Sequence, residues 1–102
     1  MLSNSDRKRF KAIGHHLKPV VTVSGNGLSE SVMQEIARAL NDHELIKIKI
    51  IADREEKEAL INEICESQGA EAIQKIGHVL LAYKAAAKPN PALSNILRAN
   101  IL

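Results

Sequence analysis

Apolar residues recur along this chain with two different periods, and the alternation between them sets out the elements. From Ser5, a plausible helix N-cap, Phe10, Ile13 and Leu17 follow at spacings of three and four. That spacing predicts a helix to about Leu17, ended by Pro19. Pro19-Val20-Val21-Thr22-Val23 is β-branched and short, as a strand requires. Ser24-Gly25-Asn26-Gly27 is a turn, and Ser29 caps a second helix whose inward stripe is Val32, Ile36, Leu40 and His43.

The period then drops to two. Ile46, Ile48 and Ile50 alternate with Lys47 and Lys49, which predicts a strand with one dry face and one wet face. Asp53 with Glu56 opens a third helix, Leu60, Ile61, Ile64 and Cys65 form its apolar face, and Gly69 closes it. Residues 72–76 and 78–83 read as two strands reversed at Gly77. Residues 85–91 have the Ala, Lys, Pro and Asn content of a linker. Beyond them Leu93, Ile96, Leu97 and Ile101 are spaced as in a short helix, to pack on the body, meet a partner or fray.

The order αβαβαββ, with crossovers between early strands and a final hairpin, predicts a two-layer α/β sandwich. Its domain is expected over residues 1–84, with a linker and tail over 85–102.

With 102 residues and 45% hydrophobic content, one core suffices without disulfide or structural metal. Single Cys65 makes an internal disulfide impossible, no apolar run is long enough for a membrane span, and no apolar signal core follows the first residues. A cytoplasmic protein with no membrane partner is expected. Charge changes the picture more. The net +2 is a cancellation: residues 1–28 hold five bases against one acid, residues 29–71 five against eleven, and residues 72–102 four against none. If the two ends of the chain meet in space, they form a basic face opposite an acidic one.

Candidate chemistry is sparse. The Ser24–Gly27 loop lies between a strand and a helix N-terminus, where backbone amides and the helix dipole favour an anion such as phosphate. It lacks the Gly-Lys-Ser/Thr of a nucleotide-binding P-loop and the third glycine of a dinucleotide fingerprint. His15 and His16 diverge by about 100° on a helix, and neither His43 nor His78 has a second ligand at metal spacing. Cys65 lies on an apolar helix face and reads as core. No catalytic constellation is present in the pattern, so no cofactor is expected and the chain does not read as an enzyme.

Three stretches together resemble a known family: residues 15–30, with His15-His16-Leu17-Lys18-Pro19 leading into the Ser24–Gly27 loop; residues 39–49, with His43-Glu44-Leu45-Ile46-Lys47; and Gln74-Lys75-Ile76-Gly77-His78 on to Tyr83-Lys84. They are similar to the CRM (chloroplast RNA splicing and ribosome maturation) domain in its bacterial single-domain, YhbY-type form, over about residues 3–84. The resemblance implies a four-stranded mixed sheet like that of the C-terminal domain of translation initiation factor three. It also implies RNA binding, on rRNA of a large-subunit precursor; no DNA specificity and a monomer are expected. The implied contacts are Ser24, Gly25, Asn26 and Gly27, surrounded by Arg7, Lys8, Lys11, Lys18, Lys47, Lys49 and Lys84. Two positions depart from the family pattern: Ser24 stands where the loop's first glycine is usual, and Lys84 where an arginine often closes the last strand. The alternative is a protein-interaction module that docks through the tail or the acidic third helix.

Overall fold

A computed structural model describes residues 2–24 and 27–99. The helices are α1 (Asn4–Gly14), α2 (Glu30–His43), α3 (Arg54–Gln68) and α4 (Asn95–Ala99); the strands are β1 (Pro19–Val23), β2 (Leu45–Ile50), β3 (Glu71–Ile76) and β4 (Val79–Tyr83). Loop residues Gly25 and Asn26 and the tail residue Ile101 lie outside the described residues.

Local chemistry explains most boundaries. Ser29 accepts from Val32 N and Asp53 from Glu56 N, so both expected caps form. The first helix starts earlier than Ser5 and ends before Leu17. Ser3 is its cap, because only Ser3 has an acid three residues on: its Oγ accepts from Asp6 N, and its own N–H donates to the Asp6 carboxylate. At the other end the chain tightens, with His16 N bonding Ile13 O and Leu17 N bonding Gly14 O. Pro19 is therefore not what stops α1. Gly14 is pressed on the buried Leu81 side chain, and a Cβ there would lie 2.6 Å from Leu81 Cδ2.

The sheet order is β1-β2-β4-β3, with β1 parallel to β2 and both other pairs antiparallel. This is the expected mixed four-stranded sheet in the expected element order. Strand β4 turns back at Gly77-His78 and inserts between β2 and β3. On one face α2 and α3 cover Val21, Val23, Ile46, Ile48, Ile50, Leu80 and Ala82.

The opposite face is not uniformly open. Leu45 shares it with Lys47 and Lys49 by the period of two, and at the Leu45 end α1 and α4 close over it. Phe10, Leu45, Ile73, Leu81 and Ile96 form a second buried cluster there, with the Phe10 and Tyr83 rings 4.6 Å apart. The Lys49 end stays exposed.

The tail packs on the body. Irregular residues 84–94 lead into α4, where Ile96 is buried and Asn95 Nδ2 donates to Leu45 O at 2.7 Å. Glu44 is the anchor. Its buried carboxylate accepts from Ser94 Oγ at 2.7 Å and from Ala86 N at 2.9 Å.

Candidate nucleic-acid interface

The sheet separates the charges. Basic α1 and the α4 that carries Arg98 touch each other on one face, and Arg9 donates to Ile96 O across that contact. The acidic middle becomes α2 and α3 on the other face, with Glu55, Glu56, Glu58, Glu63 and Glu66 all exposed on α3. Lys47 and Lys49 come from the acidic segment, yet the pleat of β2 points both to the basic side. Two bases near α3 are occupied: Lys75 pairs with Glu58 at 3.2 Å, and Lys57 Nζ donates to Gly77 O at 2.7 Å.

Two shallow depressions adjoin on the basic face, with Lys47 lining both. One, of about 180 Å³, is bordered by His15, Lys47, Gln74, Ile76, Val79 and Leu81. The other, of about 270 Å³, lies where the turn after α1, the start of β1 and α4 converge, and Lys18, Lys47 and Arg98 all reach it. Apolar Ile76 and Val20 are exposed in these depressions, so the surface offers cations beside flat apolar patches.

The candidate residues divide accordingly. Lys18 and Lys47 share a cleft, and Lys49 is exposed on the same face beside Thr22 and Val79. Lys8 and Lys11 are exposed on α1. Arg7 is engaged by Glu71 on β3 at 2.9 Å. Lys84 does not join them. It lines a cleft with Ala37, Leu40 and Asn41 of α2, because it falls one residue past Tyr83 and so points to the other face.

The glycine loop sits at the far end of β1 from Lys18, six residues on, or roughly 20 Å of extended chain. Gly27 N donates to Ser24 O at 2.8 Å. Gly27 has φ of 73° and open space where a Cβ would be, so backbone conformation is what requires glycine there. Ser24 has no positive φ, so the departure at the first loop position carries no backbone strain. Glu56 and Glu63 of α3 line the depression beside Ser24 and Gly27, which makes the loop's inner side unfavourable to an anion.

Other polar groups have structural partners. His78 Nδ1 bonds Ile50 O, and His43 Nδ1 bonds Leu93 O. Burial pushes the Cys65 thiol up from its ordinary value, Lys75 opposing and Glu71 adding. Tyr83 is likewise raised, first by burial and then by Glu44, Asp6 and Glu71. No group of three or more metal-ligating side chains occurs among the described residues. None of the helices described is long and apolar enough to cross a membrane.

Residue-by-residue reading missed Arg98 and His16 as neighbours of Lys18 and Lys47. Arg98 had a signal, the acid-free final segment, but its place depends on the tail packing back onto α1.

Comparison with known proteins agrees with this architecture. The family model described as the CRS1 / YhbY (CRM) domain matches residues 2–84. A Pseudomonas aeruginosa protein named "Probable RNA-binding protein PA4753" is 50% identical over 98 residues, covering 95% of this chain and 94% of that protein. A Haemophilus influenzae protein named "RNA-binding protein" is 49% identical over 84 residues, covering 81% of this chain and 85% of its own. The solution structure of the hypothetical protein SAV1595 from Staphylococcus aureus superposes with a TM-score of 0.75 at 22% identity, covering 92% of this chain and 98% of that one. That likeness is one of fold.

Proposed function

The chain belongs to the CRS1/YhbY (CRM) domain family, and from that premise we propose that it is a non-enzymatic RNA-binding protein of the cytoplasm. It acts as a monomer on rRNA of a large-subunit precursor. The observation that carries the reading is the sorting of charge across the sheet, with Lys8, Lys11, Lys18, Lys47, Lys49 and Arg98 on one side and the α3 carboxylates on the other. A surface of that kind neutralises backbone phosphates and fixes the protein's orientation on them. The names of relatives at about half identity point the same way.

RNA shape and backbone are read more than base sequence. Stacking of several bases needs exposed rings, but Phe10 is buried against the half-buried Tyr83, and the chain has no Trp. The glycine loop from Ser24 to Gly27 adds a further backbone contact, at the start of α2, where a helix N-terminus favours an anion. With roughly four to six phosphate contacts on single-stranded RNA, log affinity falls against log salt with a slope near −3 to −4. A protein-docking role for the tail draws no support from Ile96 and Ser94, both buried in the chain's own body.

Sedimentation with ribosomal particles tests the proposal. Wild type travels with large-subunit precursors, and a Lys11→Glu, Lys18→Glu, Lys47→Glu variant stays behind. Equal co-sedimentation of the two removes the basic face from the mechanism.

A further inference from the structure

The tail lies beyond the residues that the family model matches, yet it completes a strongly cationic depression of the surface. The cleft of about 270 Å³ is lined by His16, Lys18, Lys47, His43, Asn95 and Arg98 together with Leu17, Val20 and Ile46, and none of these is acidic. Resting on the RNA-binding reading above, we propose that this cleft is a backbone-phosphate site of the RNA interface. In it Arg98 of the tail supplies the guanidinium, and Lys18 and Lys47 supply the flanking charges.

Three elements bring these groups together. Lys47 lies in β2 opposite Pro19, so the register of the parallel β1–β2 pair sets it beside Lys18. The tight turn after Gly14 carries His16 to the same rim. Arg98 is held from below: Ile96 is buried, Asn95 Nδ2 donates to Leu45 O at 2.7 Å, Arg9 Nη2 donates to Ile96 O at 3.3 Å, and Arg98 N donates to Ser94 O at 2.9 Å. A long side chain on a fixed backbone loses less freedom when it meets a ligand.

Gathering three full positive charges around one depression opposes folding through their mutual repulsion. The described ion pairs are Arg7–Glu71 and Lys75–Glu58, and neither draws on these three cations. An anion from outside is the missing complement. Among anions, a phosphodiester matches best, since a guanidinium presents paired donors to two of its oxygens while lysines act as point charges. The adjoining sheet hollow shares Lys47 and offers Gln74 and the exposed Ile76, giving the strand a path onward from the cleft.

The test is equilibrium binding to deproteinised large-subunit rRNA across a salt series, with wild type, Arg98→Glu, Arg98→Lys and Arg38→Glu. Arg38 is an exposed base on α2, on the acidic side, and controls for net charge. The expected result is a loss of roughly tenfold for Arg98→Glu and a salt slope shallower by about 0.7. Arg98→Lys is intermediate and Arg38→Glu matches wild type; thermal melts verify that all four are folded. Equal losses from Arg98→Glu and Arg38→Glu overturn the cleft in favour of a diffuse field. Wild-type affinity in Arg98→Glu, with loss in the Lys11/Lys18/Lys47 reversal, overturns the cleft and keeps the RNA-binding reading. Absence of rRNA binding by wild type overturns both.

Discussion

Replacing Ser94 with Ala should loosen the whole tail, because one hydroxyl joins it to a strained residue of the body. Glu44 ends α2 at φ 62° and ψ −49°, and it is the non-glycine residue with positive φ among those described. A side-chain-bearing residue in such a conformation costs on the order of 1–3 kcal/mol and persists only where its surroundings hold it. Here its N–H donates to Leu40 O, its carbonyl accepts from Lys84 N, and its carboxylate takes Ala86 N and Ser94 Oγ. Ser94 Oγ also accepts from Ile96 N and Leu97 N, each at 3.3 Å, at the start of α4. The Ser94→Ala change removes a hydrogen bond to a charged group, about 1.5–3 kcal/mol, and a helix cap, about 1 kcal/mol, so a loss of about 2–4 kcal/mol is expected. Urea unfolding at unchanged m-value measures it, and for a domain of this size the thermal midpoint should drop by about 8 °C or more. A loss below about 0.5 kcal/mol, the range of an ordinary surface change, would refute the anchoring role. Because α4 carries Arg98, the same variant should also bind rRNA more weakly at temperatures where it remains folded.

Lys47→Glu should weaken rRNA binding roughly tenfold, while Lys84→Glu, on the other side of the sheet, should leave it near wild type. Titrating labelled rRNA with both variants decides this, and equal losses would contradict the assignment of faces. Cys65, with its thiol raised by burial, holds less thiolate at pH 8 than a free thiol of pKa about 8.5. Iodoacetamide should therefore alkylate it slowly in the folded protein and at the ordinary rate in urea, and identical rates would show it to be accessible. Gly69→Ala should cost about 1–2 kcal/mol in chemical denaturation through backbone conformation alone, since Gly69 has φ of 66° and nothing within 4 Å of a Cβ. No change in midpoint would mean that α3 does not end in the left-handed region.

The elements were legible wherever the signal is local. Ser29, Asp53 and Gly69 bound helices because caps satisfy backbone groups within one turn, and the alternation from Ile46 to Ile50 shows its strand directly. One local pairing, the reciprocal bond between Ser3 and Asp6, displaced Ser5 as a cap. Non-local features were less legible. Glu44 gave no such sign: its partners lie 42 and 50 residues away, so nothing near it marks it as the tail's anchor. Lys84 reads as one more basic residue beside Tyr83, and only the parity of β4 sends it to the α2 side.

The sorting of charge follows from topology as much as from composition. Segment totals alone place Lys47 and Lys49 with the acids, and an RNA facing the averaged middle segment would meet net repulsion. In a central strand, however, alternate side chains leave on opposite faces, so Ile46, Ile48 and Ile50 seal the core beneath α2 and α3 while the lysines emerge on the side of α1 and α4. The sheet then stands as a low-dielectric layer between the two fields. Glutamates on α3 repel an approaching polyanion on their own side, and the lysines and Arg98 attract it on theirs, so on the proposed function the protein docks in one orientation. A chain with nearly balanced acids and bases can thus be selective in how it meets RNA, where the same number of bases spread evenly would bind weakly from every side.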